Sequence, residues 1–203
     1  MEGDSRYHPG MAHPATCGIL AGGGSTRMGA NKALLPFQGR PLLARQIEIL
    51  SPLFETLLLS ANDPEPFRPF GVRCVPDLLS ERCALAGIHA LLSAATTDLV
   101  FVVACDMPFL SAPLIEDLLR RRGDADVVLP VSDRGAEPLH AIYSRRCLPA
   151  IEDNARRGRW KADGFHDGLR VVRVRVKDEE WRSDAFSPFH NANTPEEWRA
   201  AGP

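Results

Sequence analysis

Residues 99–104 read LVFVVA, apolar at all six positions. A strand with one wet face alternates apolar and polar residues. A strand with no polar position must be covered on both faces, as inside a parallel sheet lying between two layers of helices. Other short apolar runs accompany it: TCGIL at 16–20, TLLLS at 56–60, VRCV at 72–75 and DVVLP at 126–130. Between them lie stretches of helical length and periodicity at 41–51, 84–95 and 112–122. The last is preceded by Ser111 as N-cap, has Pro113 in its first turn, and places its acids before its arginines. Strand and helix in alternation predict an α/β chain of three layers around a mostly parallel central sheet with right-handed crossovers.

The second half is less regular. LHAIYS at 139–144 and LRVVRVRV at 169–176 read as strands, and the alternation of Val with Arg in the latter gives it one wet face. RRCLPAIEDNARRG at 145–158 contains a helix; TPEEWRAA at 194–201 is a shorter one, capped by Thr194 with Pro195 first. With no repeat and no linker, 203 residues of ordinary composition (44% apolar, 25% charged) form one domain, expected over 16–203. Residues 1–15, MEGDSRYHPGMAHPA, contain no apolar core of a signal peptide and are expected to be a disordered tail. His8 and His13 then read as solvated side chains.

A net charge of −2 provides no bulk attraction to nucleic acid or to an anionic membrane, so neither is expected as a partner. No apolar stretch approaches the ~20 residues that cross a bilayer. Five scattered cysteines, odd in number and without a CxxC pair, argue against a disulfide framework and a zinc site. They fit a reducing cytoplasm, which is the expected location.

The strongest chemical signal is GILAGGGSTRMGANKALLPFQGRPLL at 18–43. It is not a P-loop, because Ala30 rather than lysine follows Gly29, and Lys32 comes too late. Nor is it a dinucleotide fingerprint, since Arg27 stands where the third glycine belongs. What remains is a strand, a run of glycines, Arg27, Lys32 and then a helix. Glycines let main-chain N–H groups approach phosphates without interference from Cβ, and the two cations counter phosphate charge. The bland alternative is a tight turn with two surface cations. Asp106 directly follows the all-apolar strand, which puts a carboxylate at the strand end where open α/β sheets bind ligands. Magnesium takes one or two protein carboxylates and completes its shell with water and phosphate, so one such aspartate suffices to recruit Mg2+ with a nucleotide. Asp106 also reads, more plainly, as a turn former ahead of Pro108.

LAGGGSTRMGANKALLPFQGRPLL, PD at 76–77, LAGIHALL at 85–92, CDMPFL at 105–110, EPLHAIYS at 137–144 and NANTPEEW at 191–198 occur in that order. Together, over about residues 16–200, they resemble the molybdenum cofactor guanylyltransferase family. The resemblance implies a three-layer, Rossmann-like nucleotidyltransferase fold, GTP and a molybdopterin-type cofactor as substrates, Mg2+ as cofactor, and a molybdoenzyme or insertion chaperone as recipient. It puts Leu20, Ala21, Gly22, Gly23 and Gly24 against the nucleotide, Lys32 on its phosphates and Asp77 on its guanine or ribose side. Asp106 contacts nucleotide and metal, and Asn191 and Asn193 contact the pterin cofactor. Arg27, Lys32 and Asp106 form the implied catalytic set. The chain departs at Ser60, where a family member carries Asn; a serine there can still donate or accept one hydrogen bond, and Asn62 is close by.

The loop motif is shared with cytidylyl-, uridylyl- and thymidylyltransferases, while CDMPFL and NxNTPEE discriminate more finely. LAGG, where the related cytidylyltransferase for the same cofactor resembles LAAG, favours guanine. The nearest rivals are that enzyme and a sugar-phosphate nucleotidyltransferase; a non-catalytic cofactor-binding protein is a rival of another class. Some features stay open. NANTP reads equally as a helix cap, ARRGRWK at 155–161 as a phosphate cradle or a solvated loop, and Arg120–Arg122 as charges complementing a helix end. Cys105 reads as a buried, inert thiol.

Overall fold

A computed structural model describes residues 12–22, 31–181 and 186–191. Its first strand, β1, runs His13–Leu20, so the strand begins three residues before the apolar run read for it and His13 is a strand residue, its ring 6.3 Å from that of Phe54. A two-residue hairpin, β2 (Pro36–Phe37) and β3 (Arg40–Pro41), leads into α1 (Leu42–Leu50). The hairpin was not expected, because two residues are too few to display alternation; its turn puts Gln38 and Gly39 at φ 50° and 79°. Then follow β4 (Phe54–Ser60), β5 (Arg73–Val75), α2 (Ala84–Ala94), β6 (Leu99–Ala104), α3 (Ala112–Arg120) and β7 (Val127–Ser132). The chain continues through β8 (Gly135–Ala136), β9 (His140–Ser144), α4 (Leu148–Arg156), β10 (Val171–Arg175) and α5 (Asp178–Trp181). The helix read at 194–201 lies outside the described residues.

The main sheet has the order β10-β7-β9-β6-β1-β4-β5, with β8 added to β7. Pairs β1–β4, β1–β6, β4–β5 and β7–β10 are parallel; β9 runs antiparallel to β6 and β7. Val100, Phe101, Val102 and Val103 of β6 are all fully buried. Phe101 and Val103 join Leu43 and Leu50 of α1 and Leu114 and Leu118 of α3 in one core. Val100 and Val102 face the other, with Ile88 and Leu91 of α2 and Ile151 of α4. The all-apolar run is thus covered on both faces, as a three-layer α/β fold requires. On β10, Arg173 and Arg175 are exposed while Val174 is buried, so the expected wet face is there.

Some end signals act differently from their reading. Ser111 occupies the N-cap of α3 without a side-chain capping bond, and no acid stands in the first turn. Arg120 and Arg121 pair with Asp117 at 3.1 and 2.6 Å, and Arg122 with Asp98 at 3.2 Å. No described helix is long and apolar enough to cross a membrane. All five cysteines are unpaired.

His140, the first residue of β9, is fully buried between the rings of Phe101 and Phe189, each 5.1 Å away and edge-on. Burial pushes its pKa down to about 3. At pH 7 it is neutral folded or unfolded. As the pH falls through 6.5 the unfolded chain takes up a proton that the folded chain refuses, so stability drops, by about 2 kcal/mol at pH 5. The thermal midpoint should therefore fall more steeply between pH 7 and 5 in the wild type than in His140→Leu. Parallel profiles would show that His140 is protonated without unfolding.

Candidate active site

The parallel strands end in step. Leu20 pairs with Ser60 on one side and Ala104 on the other, and Ser60 pairs with Val75. Their following residues therefore emerge along one edge, and the order of strands reverses at β1: β4 and β5 are added on one side of it and β6, still parallel, on the other. That is a topological switch point, where open α/β sheets hold ligands. Backbone bonds continue across the edge: Ala21 N–H donates to the Ser60 carbonyl at 3.1 Å, Cys105 N–H to the Leu20 carbonyl at 3.0 Å, and Ala61 N–H to the Val75 carbonyl at 3.0 Å. Gly22 passes so close to β4 that a Cβ would stand 3.3 Å from the Ser60 carbonyl oxygen, so the missing side chain has a local steric reason. Gly23, Gly24 and Arg27 lie outside the described residues.

Asn31 follows the glycine loop, and its carboxamide works twice. Oδ1 accepts from Ala33 N–H at 3.0 Å, capping a single 3-10 turn at Lys32–Leu34, and Nδ2 donates to the Ala21 carbonyl at 3.3 Å. That bridge fixes the far end of the glycine loop to its near end. It also aims Lys32 across the edge, where Nζ donates to Asp106 Oδ2 at 3.1 Å, with side chains 14% and 20% exposed. Residues 74 positions apart thus form one cation–carboxylate pair at the mouth of the switch point.

Asp106 sits in a turn held from below by Gln46 of α1. This fully buried side chain donates Nε2 to the carbonyls of Ala104 and Met107, both at 2.9 Å. Sequence reasoning missed it, since a glutamine within a helix gives no local signal of what it meets 58 residues later. Gln46→Leu leaves two buried carbonyls without donors, and at roughly 1–3 kcal/mol for each orphaned group the protein should lose about 2–6 kcal/mol. Denaturant titration measures this; a change within about 0.5 kcal/mol would mean that the turn is held by other bonds.

Asp77 follows β5 and forms a reciprocal pair with Asn62: Asn62 Nδ2 donates to Asp77 Oδ2, and Asp77 N–H donates to Asn62 Oδ1, both at 2.8 Å. Asn62 is thus the residue that orients Asp77. Ser60 is buried, its hydroxyl without a partner among the described residues, and it faces α2 where an ideal Cβ on Gly87 would lie 2.9 Å from Oγ. Cys105, next to Asp106, is an inert thiol, pushed up to about 12 by burial and secondarily by the Asp106 charge.

On the β9 side, Phe109 of the Asp106 loop meets Phe37 of the hairpin at 5.7 Å and stacks on Phe186 at 4.4 Å. Phe109 also meets the ring of His190 at 5.9 Å, so the residues just before Asn191 lie beside the Asp106 loop; Asn193 lies outside the described residues. The 155–161 stretch is elsewhere. Arg156 and Trp160 border an open hollow of about 390 Å³ with Leu79, Ser80, Glu152 and Ala155. Arg156 and Arg157 there pair with Asp153 at 3.5 and 2.9 Å, as a solvated loop would.

The fit of a divalent cation rests on the donor set. No cluster of three or more metal-ligating side chains exists among the described residues. Asp106 offers a single partly exposed carboxylate, which suits Mg2+ carried in on a nucleotide's phosphates rather than a metal caged by protein.

Comparison with known proteins agrees with this geometry. A family model described as the MobA-like NTP transferase domain matches residues 17–169. A probable molybdenum cofactor guanylyltransferase of Pelotomaculum thermopropionicum is 36% identical over 181 residues, covering 89% of this chain and 88% of its own. A molybdenum cofactor guanylyltransferase of Desulfosudis oleivorans is 36% identical over 185 residues, covering 90% and 92%. Among solved structures, molybdopterin-guanine dinucleotide biosynthesis protein A of Archaeoglobus fulgidus superposes with a TM-score of 0.77 at 26% identity, covering 92% of this chain and 96% of its own.

Proposed function

Because the chain belongs to the MobA-like NTP transferase family, we propose that it transfers GMP from GTP to the terminal phosphate of a molybdopterin-type cofactor and releases pyrophosphate. The observation that carries this reading is the Lys32–Asp106 pair, set where β1 and β6 end in step. The attacking group is a phosphate monoester, already anionic near neutral pH, so no protein base has to activate it. The bond formed joins its oxygen to the α-phosphorus of GTP; the bond broken frees pyrophosphate. The task left to the protein is to hold two polyanions in line and balance charge on the leaving group.

In this reading Leu20, Ala21, Gly22, Gly23 and Gly24 present backbone to the nucleotide, and Arg27 and Lys32 neutralise its phosphates. Asp77, oriented by Asn62, faces the guanine or ribose, with Ser60 beneath. Asn191 and Asn193 hold the pterin-bearing acceptor. Asp106 would hold Mg2+, which supplies Lewis-acid charge on the phosphates when bound. Lys32 already touches that carboxylate, and a nucleotide would draw its ammonium onto phosphate oxygen, leaving Asp106 to the cation. A cytoplasmic location fits the five unpaired cysteines, and a molybdoenzyme or insertion chaperone would take the product.

The test is calorimetry of GTP, CTP, ATP and UTP, each with and without Mg2+, followed by pyrophosphate release with GTP and molybdopterin. Mg2+-dependent, GTP-selective binding and turnover are expected. CTP preference would reassign the chain to cytidylyl transfer, and binding without turnover would make it a cofactor carrier.

A further inference from the structure

The acceptor side of the edge holds a carboxylate to which the mechanism above gives no part. Glu137 lies between β8 and β9, in a turn joined to the strand that carries Asp106: Ala104 N–H donates to the Leu139 carbonyl at 3.0 Å, and Asp106 stands two residues past Ala104. The neighbouring β7–β8 turn, to which Glu137 is bonded through Ser132, grips the segment leading to Asn191. Arg134 Nη2 donates to the Phe189 carbonyl at 2.8 Å, and the Phe189 ring packs on His140. Glu137, Asp106 and Asn191 are thus attached to one block, on the side of β6 away from β4 and β5.

Glu137 is half-engaged. Its Oε1 accepts from the Ser132 hydroxyl at 2.6 Å, while Oε2 meets no donor among the described residues. Ser132 does not need Glu137 to close the β7–β8 turn, because its hydroxyl oxygen already accepts from Arg134 N–H at 3.1 Å and lies 3.3 Å from the Gly135 carbonyl. Asn191 Oδ1, buried nearby in sequence from the Arg134-held Phe189, also meets no donor among the described residues. Two oxygens with spare acceptor capacity therefore stand on this side. A carboxylate repels the phosphate end of an anionic acceptor, so even with the Arg134 charge nearby it belongs beside the opposite end, where its second oxygen can accept from N–H donors. The aminopyrimidinone ring of a pterin presents such donors, a ring N–H beside an exocyclic NH2, in the spacing that two carboxylate oxygens match.

We propose that Glu137 reads the pterin ring of the acceptor, accepting hydrogen bonds from its N–H edge and so orienting the phosphate end toward Lys32 and Asp106. This rests on the guanylyl-transfer reading above. The experiment uses the full chain: steady-state pyrophosphate release with molybdopterin varied at saturating GTP, in the wild type, Glu137→Gln and Glu137→Asp. Loss of a charge-assisted hydrogen bond predicts a rise in KM for molybdopterin of about 10- to 100-fold in Glu137→Gln. The kcat at saturating acceptor should stay within about threefold, GTP affinity by calorimetry within about twofold, and Glu137→Asp should fall between. An acceptor KM unchanged in Glu137→Gln, or GTP affinity and thermal midpoint falling along with it, would overturn the proposal. The outcomes separate cleanly from the parent reading: absence of transfer by the wild type defeats guanylyl transfer itself, whereas an active wild type with an indifferent Glu137→Gln defeats only the role of Glu137.

Discussion

Asp106→Ala is expected to lower kcat at least about 1,000-fold while leaving the protein folded. A cation on the phosphates is worth several kcal/mol of transition-state charge, and each 1.36 kcal/mol is tenfold in rate. In the proposed reading Asp106 is the side chain that would hold that cation. The substitution should not unfold the chain, since the carboxylate is partly exposed and the turn beneath it is held by Gln46 through the Ala104 and Met107 carbonyls. GTP binding should become nearly insensitive to Mg2+, with Mg2+-free binding no weaker than in the wild type because Lys32 has lost its carboxylate partner. Turnover within threefold of the wild type would remove Asp106 from the mechanism.

Lys32→Ala should act on binding as well as on rate. Its ammonium reaches Asp106 at 3.1 Å, and on GTP binding that donor would move to phosphate oxygen. A hydrogen bond to a charged group contributes roughly 1.5–3 kcal/mol, so GTP affinity should drop about 10- to 100-fold and kcat/KM further. Removing the lysine also leaves the Asp106 carboxylate facing phosphate alone, which makes the loss more severe without Mg2+ than with it. Calorimetry at two Mg2+ concentrations distinguishes these contributions. Unchanged GTP affinity would contradict a phosphate contact. Lys32→Arg should restore binding only in part, because a planar guanidinium cannot take the place of a compact ammonium at the end of the Asn31-capped turn.

The layers of the fold could be read locally. An all-apolar LVFVVA demands cover on both faces, and Val–Arg alternation at 171–175 demands a wet one; both follow from side-chain direction in a single strand. The hairpin at 36–41 leaves no local signal because its strands are two residues long, and the start of β1 at His13 is masked by Pro14, which argues against a strand interior. Of the candidate site, the glycine loop, Lys32 and Asp106 are marked by residue type and position after strands, and Asp77 only by the family resemblance. Gln46, Asn31 and Glu137 are not marked, since each acquires its meaning only from a partner the chain brings in from elsewhere.

By itself, then, the sequence determined the layers, the glycine loop at the end of the first strand and the acid at the end of the fourth apolar run. These depend on local stereochemistry: period, cap and turn. Only the tertiary structure decided that Leu20, Ser60, Val75 and Ala104 end in step, so that Lys32 meets Asp106 and Asn62 meets Asp77. Strand order and register are set by packing both faces of one sheet at once, and no short stretch of the chain carries that information alone.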